Sequence, residues 1–433
     1  MKRIENILKT HPPITHANES KSEIFFSILN FAIPVFMGFY LLANPFPVSA
    51  INEFCFYLSL LILIILIAFK KTDFTLRSPL TLPIFLFFLW AVFGLFFTLD
   101  FQNTLHDLRG HLLEYLIVFY LLINYFNSPK RLKILACIAI ASATIFSIGA
   151  IIQYYFIEGF PFSARLGLTF KGMNTNYLGF ITIFASILAL HLFHRNEKIS
   201  YKILFVTCFL ITTVATLLTK SRGSLLGLFA ALVILCFYNR KDIIFIIIII
   251  LILILMPNMK DRIQNEEFTK DLRIKVNRLT IEVIKDHPII GIGFGMEIYG
   301  NKDLVPLEKY NSKLHHKYQQ DGVIIASPHN TILDIAVRTG VVGLTLFLYI
   351  LITSLWMLWE ILKLKKGEYF KSWAICFFAC LVSYLLPALF ADTTFGPRVV
   401  IFYTILAMIT ILWNIAKKEK LKEAAASSEK LID

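Results

Sequence analysis

The sequence predicts an all-α integral membrane protein of about 12 transmembrane helices, with one large outer loop between helices 9 and 10. Three observations carry that expectation. Of the 433 residues, 57% are hydrophobic and only 16% are charged, whereas soluble domains carry about 25% charged residues. Apolar runs of about 20 residues, long enough to cross a bilayer with every backbone polar group paired, recur at 24–43, 50–69, 79–98, 108–126, 134–156, 177–194, 202–219, 222–238, 242–256, 340–362, 372–391 and 397–415. The lysines and arginines then fix a direction. With the N-terminus inside, 24 of the 42 basic residues fall in cytoplasmic segments and 12 in the long outer loop, which the positive-inside rule does not weigh. Only Arg109, Arg165, Lys171, Lys220, Arg222 and Arg398 remain at short outer positions. The net charge of +13 is mostly this inner-face bias and calls for no nucleic acid.

Residues 1–23 read as a polar cytoplasmic lead-in without the apolar core of a cleavable signal peptide. The first three spans, rich in Phe and Leu, read as scaffold. The fourth opens with HDLRGHLLEY, which puts Arg109, His111 and Glu114 at its outer end; partial snorkelling and a functional role are both open to Arg109. The loop 157–176 carries Arg165, Lys171, Asn174 and Asn176. The asparagines suit helix capping, with recognition of a polar ligand as the alternative. Spans seven and eight meet in LLTKSRGSLLG. Arg222 has almost no loop around it, so its guanidinium belongs at the outer surface, because mid-bilayer placement costs about 2.5–3.5 kcal/mol. A lipid headgroup or a substrate phosphate would meet it there, and Ser221 and Ser224 add hydroxyl donors. The ninth span is short, with no charge inside IIFIIIIILILILM. The six cysteines all fall in predicted spans and read as small apolar residues, with neither a disulfide framework nor metal spacing.

The segment 257–338 is the periplasmic loop of this reading, with amphipathic helices; residues 24–256 and 339–415 hold spans one to nine and ten to twelve, and 416–433 is a cytoplasmic tail. Within the loop, 266–286 repeats Leu272, Val276, Leu279 and Val283 as one helical stripe. Arg273 and Arg278 flank that stripe, as on a helix lying along the membrane surface. HPIIGIGFG then breaks the helix. No strand–turn–helix unit surrounds Gly291, Gly293 and Gly295, so they read as turn glycines rather than a nucleotide loop. The stretch 301–320 reads as polar loop; His315 and His316 are adjacent and point apart on a helix, so no metal site is expected.

The stretch ASPHNTILDIAVRTGVVG follows. Pro328 marks the end of the loop. A helix starting near His329 places Ile332, Leu333, Ala336, Gly340 and Gly343 on the face of His329, and the glycines leave that face thin enough for another helix or a lipid chain. Asp334 and Arg338 can pair on the other side. In the last outer turn, ADTTFGPRV, Asp392 and Arg398 can pair with each other, or Arg398 can join Arg222 in a cationic ring.

These residues suggest a chemistry. Arginine matches phosphate oxygens bidentately and keeps its charge, and a lipid diphosphate presents such oxygens at the depth of Arg222. Histidine can take a proton from a hydroxyl near neutral pH. Together they describe transfer from a lipid diphosphate to an alcohol, with the long loop as a lid against water.

His329-Asn330, nine residues, Gly340, two residues and Gly343 resembles the signature of the O-antigen ligases. The resemblance extends over most of the chain: twelve spans, cytoplasmic ends, a large periplasmic loop before the signature, and Arg222 at the turn between spans seven and eight. A second arginine precedes an amphipathic helix ending in Pro-Φ-Φ-Gly-Φ-Gly; Arg273, fifteen residues before Pro288, is the best match and Arg278 its competitor. The resemblance implies that His329 is the catalytic base and that Arg222 and Arg273 hold the donor diphosphate, without metal or cofactor. Asn330, Arg398, Arg109 and Arg165 are further candidates for substrate contact. It also implies inverting transfer of an O-antigen glycan from undecaprenyl diphosphate to a sugar hydroxyl of lipid A-core, at the periplasmic face of a bacterial inner membrane. The O-antigen polymerase and the O-linked oligosaccharyltransferase share the fold. The second usually has an appended C-terminal domain not seen here, and the paired Arg-rich loops of the first are not evident, since 157–176 holds one arginine. A lipid-linked glycan transporter, the non-enzyme alternative, would place charges at mid-membrane depth; spans one to three, five and nine have essentially none.

Overall fold

A computed structural model describes residues 21–167, 175–255, 266–364 and 367–429, and among these the chain is helical with no strand. In order the helices are α1 (Lys21–Ala43), α2 (Ser49–Ala68), α3 (Thr81–Phe93), α4 (Phe101–Asp107), α5 (Leu113–Tyr125), α6 (Pro129–Ile151), α7 (Thr175–Arg195), α8 (Ile199–Leu218), α9 (Arg222–Tyr238), α10 (Ile243–Leu255), α11 (Glu266–Asp286), α12 (Leu307–Lys313), α13 (Thr331–Leu362), α14 (Glu368–Ala388) and α15 (Pro397–Glu429). Eight of them are long and apolar enough to cross a membrane: α1, α2, α6, α7, α8, α13, α14 and α15. The chain is a multi-pass membrane protein. The other four expected spans fall on shorter helices, α3, α5, α9 and α10. A turn of π-helix, Leu108–Leu112, joins α4 to α5, and another, Ile152–Ile157, extends α6.

Burial sorts the helices into centre and rim. In the apolar windows of α7 and α15, 89% of residues are buried, against 22% in α1. A helix apolar on every face belongs in such a centre. Hydroxyls are paired where α7 meets α8: Thr182 with Thr216 at 2.7 Å and Ser186 with Thr212 at 2.8 Å. Such contacts tie helices where lipid provides no hydrophobic drive between them. The α9–α14 seam uses a small residue: a Cβ on Gly227 would lie 2.7 Å from the Ser383 carbonyl oxygen. All six cysteines are free thiols.

The expected amphipathic helix is α11, but its stripe does not face lipid. Val276, Leu279 and Val283 are buried, the last two in a second small core with Ile298, Tyr299, Val305, Tyr310 and Val337. The stripe is covered by the chain itself, because α12 and the start of α13 fold back over it. The stretch 301–320 is correspondingly more ordered than a polar loop: it holds α12 and a 3₁₀ turn, His316–Tyr318.

The helix carrying the signature also departs from the expectation. It starts at Thr331 rather than His329, with Asn330 as N-cap, its side-chain oxygen accepting from the Ile332 and Leu333 amides at 3.0 and 3.3 Å. At Gly340 it breaks (φ 68°, ψ −175°), a conformation open essentially to glycine alone. What approaches Gly340 is neither helix nor lipid but the Ile289–Ile290 backbone, and beside Gly343 stands Trp90. The break frees carbonyls that must find donors. Ile292 N–H donates to Val337 O at 2.9 Å, Gly293 N–H to Arg338 O at 3.1 Å and Trp90 Nε1 to Thr339 O at 2.8 Å, while Val341 N–H donates to Pro288 O at 2.8 Å. The glycines of HPIIGIGFG are therefore docking glycines: a Cβ on Gly291 would lie 2.5 Å from the Arg338 carbonyl.

Candidate active site

His329 lies between Pro328 and the N-cap with φ +47°, a left-handed backbone uncommon for a residue with a Cβ. That conformation turns the ring towards the α14–α15 turn, where Nδ1 meets Asp392 Oδ1 at 3.3 Å. Ser327 Oγ donates to the other carboxylate oxygen at 3.2 Å. The His329 and Asp392 side chains remain 45% and 39% exposed, so a ligand can reach both. Burial alone would raise the Asp392 carboxyl. The His329 hydrogen bond and the Arg398 and His329 charges outweigh it and hold the group well below the usual carboxylate range. An ionised Asp392 favours Nδ1–H on His329 and leaves Nε2 as the acceptor nitrogen.

Two residues before Asp392, Phe390 carries the Arg273 guanidinium over its ring at 5.1 Å. The same ring edges the start of α9: a Cβ on Gly223 would lie 3.6 Å from it. Arg222 and Arg273 are consequently close enough for charge to matter. Half-burial lowers the Arg273 pKa, and the Arg222 charge lowers it further. An anion placed near both guanidinium groups would be attracted by each of them. The competitor, Arg278, is exposed and lies over Tyr318 at 5.1 Å, on a different flank of α11.

Arg165 underpins the Arg222 turn. Its Nε donates to Thr219 O at 2.7 Å and its Nη2 to Asn176 Oδ1 at 2.8 Å, and that oxygen also accepts from Ser221 Oγ at 3.0 Å. Asn176 thus bonds side chains of the turn rather than acting only as a cap. Lys171 and Asn174 lie outside the described residues. Arg109 is exposed on the π turn and makes no hydrogen bond or ion pair among the described residues.

On the far side of Asp392 is a polar cavity of about 360 Å³, lined in part by Ser327, Asp334, Arg338, Asp392, Thr394 and Arg398. Asp392 and Arg398 share its wall, but the direct ionic partner of Asp392 is His329. Asp334 and Arg338 pair at 2.8 Å as expected, and they are buried. The Arg338 guanidinium also donates to the Gly295 and Met296 carbonyls and lies over Phe395, while Thr394 donates to Asp334. The pair pins α13 to both the glycine loop and the α14–α15 turn. From the other side, Asp107 accepts from the Met296 amide at 2.5 Å and Asn103 from Glu297 at 3.2 Å, which fixes the loop against α4.

Residues 206–348 match the family model described as O-Antigen ligase. This segment is similar to the O-antigen ligase family. A search of curated proteins gave no match. The family segment runs from α8 into α13 and contains Arg222, Arg273, Arg278, His329, Asn330, Gly340 and Gly343. It stops before Phe390, Asp392 and Arg398, so the α14–α15 turn meets the residues of the matched segment from beyond its limits. Sequence reading named Asp392 only as a partner for Arg398 and passed over Phe390. The one available signal was a carboxylate in a very short turn, ADTTFGPRV.

Proposed function

We propose that this protein is an O-antigen ligase, transferring a finished glycan from undecaprenyl diphosphate to a sugar hydroxyl of lipid A-core at the periplasmic face of a twelve-span inner-membrane fold. The observation that carries the reading is the convergence of an Asp392-linked histidine and two adjoining arginines on one short turn, inside and beside the segment similar to the O-antigen ligase family.

In this reading Nε2 of His329 accepts the proton of the acceptor hydroxyl as its oxygen attacks the anomeric carbon. The bond from that carbon to the diphosphate oxygen breaks on the opposite face, and the configuration inverts. The departing lipid diphosphate keeps the electron pair, and Arg222 and Arg273 stabilise its growing charge. Asp392 holds the imidazole in the Nδ1–H form and offsets its charge once protonated, a positioning role. Arg165 acts one step further back, through the turn that presents Arg222.

The test is transfer by the purified protein in detergent, with a polyisoprenyl diphosphate-linked glycan and lipid A-core. Wild type should form the glycosylated core and release polyisoprenyl diphosphate in equal amounts, and His329→Ala should lose roughly 10²–10⁴-fold in rate. Extension of one lipid-linked glycan by another, with lipid A-core untouched, would make the protein a polymerase instead.

A further inference from the structure

Between α1 and α6 lies a groove of about 550 Å³ whose lining includes none of the candidate-site residues above. Its walls run from Phe31 to Leu42 on α1 and from Arg131 to Ala141 on α6, with Phe126 closing the lower end. Gly38 sets its floor, where a Cβ would stand 3.2 Å from the Ile138 side chain. Eleven residues of helix rise about 16 Å, close to half of an about 30 Å hydrocarbon core. The groove therefore has the depth of one leaflet.

Its only charged lining residue is Arg131, in the first turn of α6, at the end that the lysine and arginine distribution assigns to the cytoplasm. One Nη1–H of Arg131 goes to the Tyr125 carbonyl at 3.0 Å, which fixes the guanidinium at the groove mouth with donors to spare. Lys130 is exposed beside it. Asn30, next to Phe31, donates to the Lys71 carbonyl at 2.9 Å, which ties this part of α1 to the segment after α2.

We propose that this groove seats one anionic phospholipid of the cytoplasmic leaflet, its phosphate on Arg131 and one acyl chain along α1 from Phe31 to Leu42. Arg131, with the exposed Lys130 beside it, attracts anionic headgroups, and the apolar wall above it is one chain deep. The arginine pair suited to the glycan donor's diphosphate, Arg222 and Arg273, lines no part of this groove.

Native mass spectrometry of the full-length protein tests this, with phosphatidylglycerol, phosphatidylethanolamine and a polyisoprenyl phosphate each added at equal concentration. Wild type should retain one phosphatidylglycerol with at least about tenfold preference over phosphatidylethanolamine. Arg131→Gln should lose that preference while still binding both lipids weakly, and Gly38→Leu, which fills the groove, should lose the tight site altogether. Equal retention of the two phospholipids by wild type, or an undiminished preference in Arg131→Gln, would overturn the proposal. So would preferential retention of the polyisoprenyl phosphate. Because Arg131 is exposed and its guanidinium bonds only the Tyr125 carbonyl among the described residues, its variant reports on the groove even if Gly38→Leu fails to fold.

Discussion

A histidine serves as a base only if its free nitrogen is presented and its other nitrogen is held, and Asp392 holds Nδ1 of His329 at 3.3 Å. Replacing Asp392 by Asn should slow transfer, because an amide can offer Nδ1 either its oxygen or its N–H and no longer fixes the Nδ1–H form. A rate unchanged from wild type would sink that positioning role. The carboxyl itself is held well below its usual range, so it stays ionised across the physiological window, and its own contribution is lost only as pH falls through that depressed value. For the arginines, Arg273→Lys should lose the bidentate fork and weaken donor use, whereas Arg278→Lys, on the Tyr318 flank, should stay near wild type. At this scale His329 and Arg222 stood out because each breaks a pattern, a polar residue at a helix mouth and an arginine in a turn too tight to hide it; Arg273 and Arg278 flank the same apolar stripe, and only the resemblance to the O-antigen ligases favoured Arg273. Asp392 did not, because nothing in a sequence indicates which residue 63 positions away a side chain will meet.

The elements that matter most are α13 and the loop it receives. The sequence placed the signature correctly on a helix entering an apolar segment, yet took Gly340 as part of a smooth, thin face. Glycine offers both close approach and forbidden backbone angles, and spacing alone cannot tell which is used. Here both are, with φ 68° at the position where the Ile289 backbone packs in. Gly340→Ala should therefore cost about 1–3 kcal/mol in backbone strain, plus the displacement of the loop, visible as a lowered melting temperature together with lost activity. Asp334→Asn tests the pin beside it: one partner of a buried ion pair is removed, and about 3–5 kcal/mol of destabilisation is expected. A melting temperature unchanged from wild type would show that the loop is fixed from the α4 side alone. The covered face of α11 carries the same lesson. An amphipathic stripe predicts burial, while whether lipid or protein buries it depends on what folds back over it.

For the whole molecule, the apolar runs located the helices well, because length and composition are what a bilayer selects. Twelve expected spans fall on helices, eight of them long enough to cross by length and apolarity. The direction of the chain rests on the lysines and arginines, and it can be measured. In a cysteine-free background, Asn301→Cys should react with a membrane-impermeant maleimide added outside the inner membrane, and Glu197→Cys only after permeabilisation; labelling of both from one side would refute the topology. The central claim joins that orientation to the chemistry of His329, and the glycolipid profile of the native host carrying His329→Ala as its only copy tests it most directly. Bare lipid A-core beside accumulated long glycans on undecaprenyl diphosphate is the expected result. An unchanged ladder of glycosylated lipid A-core would contradict it.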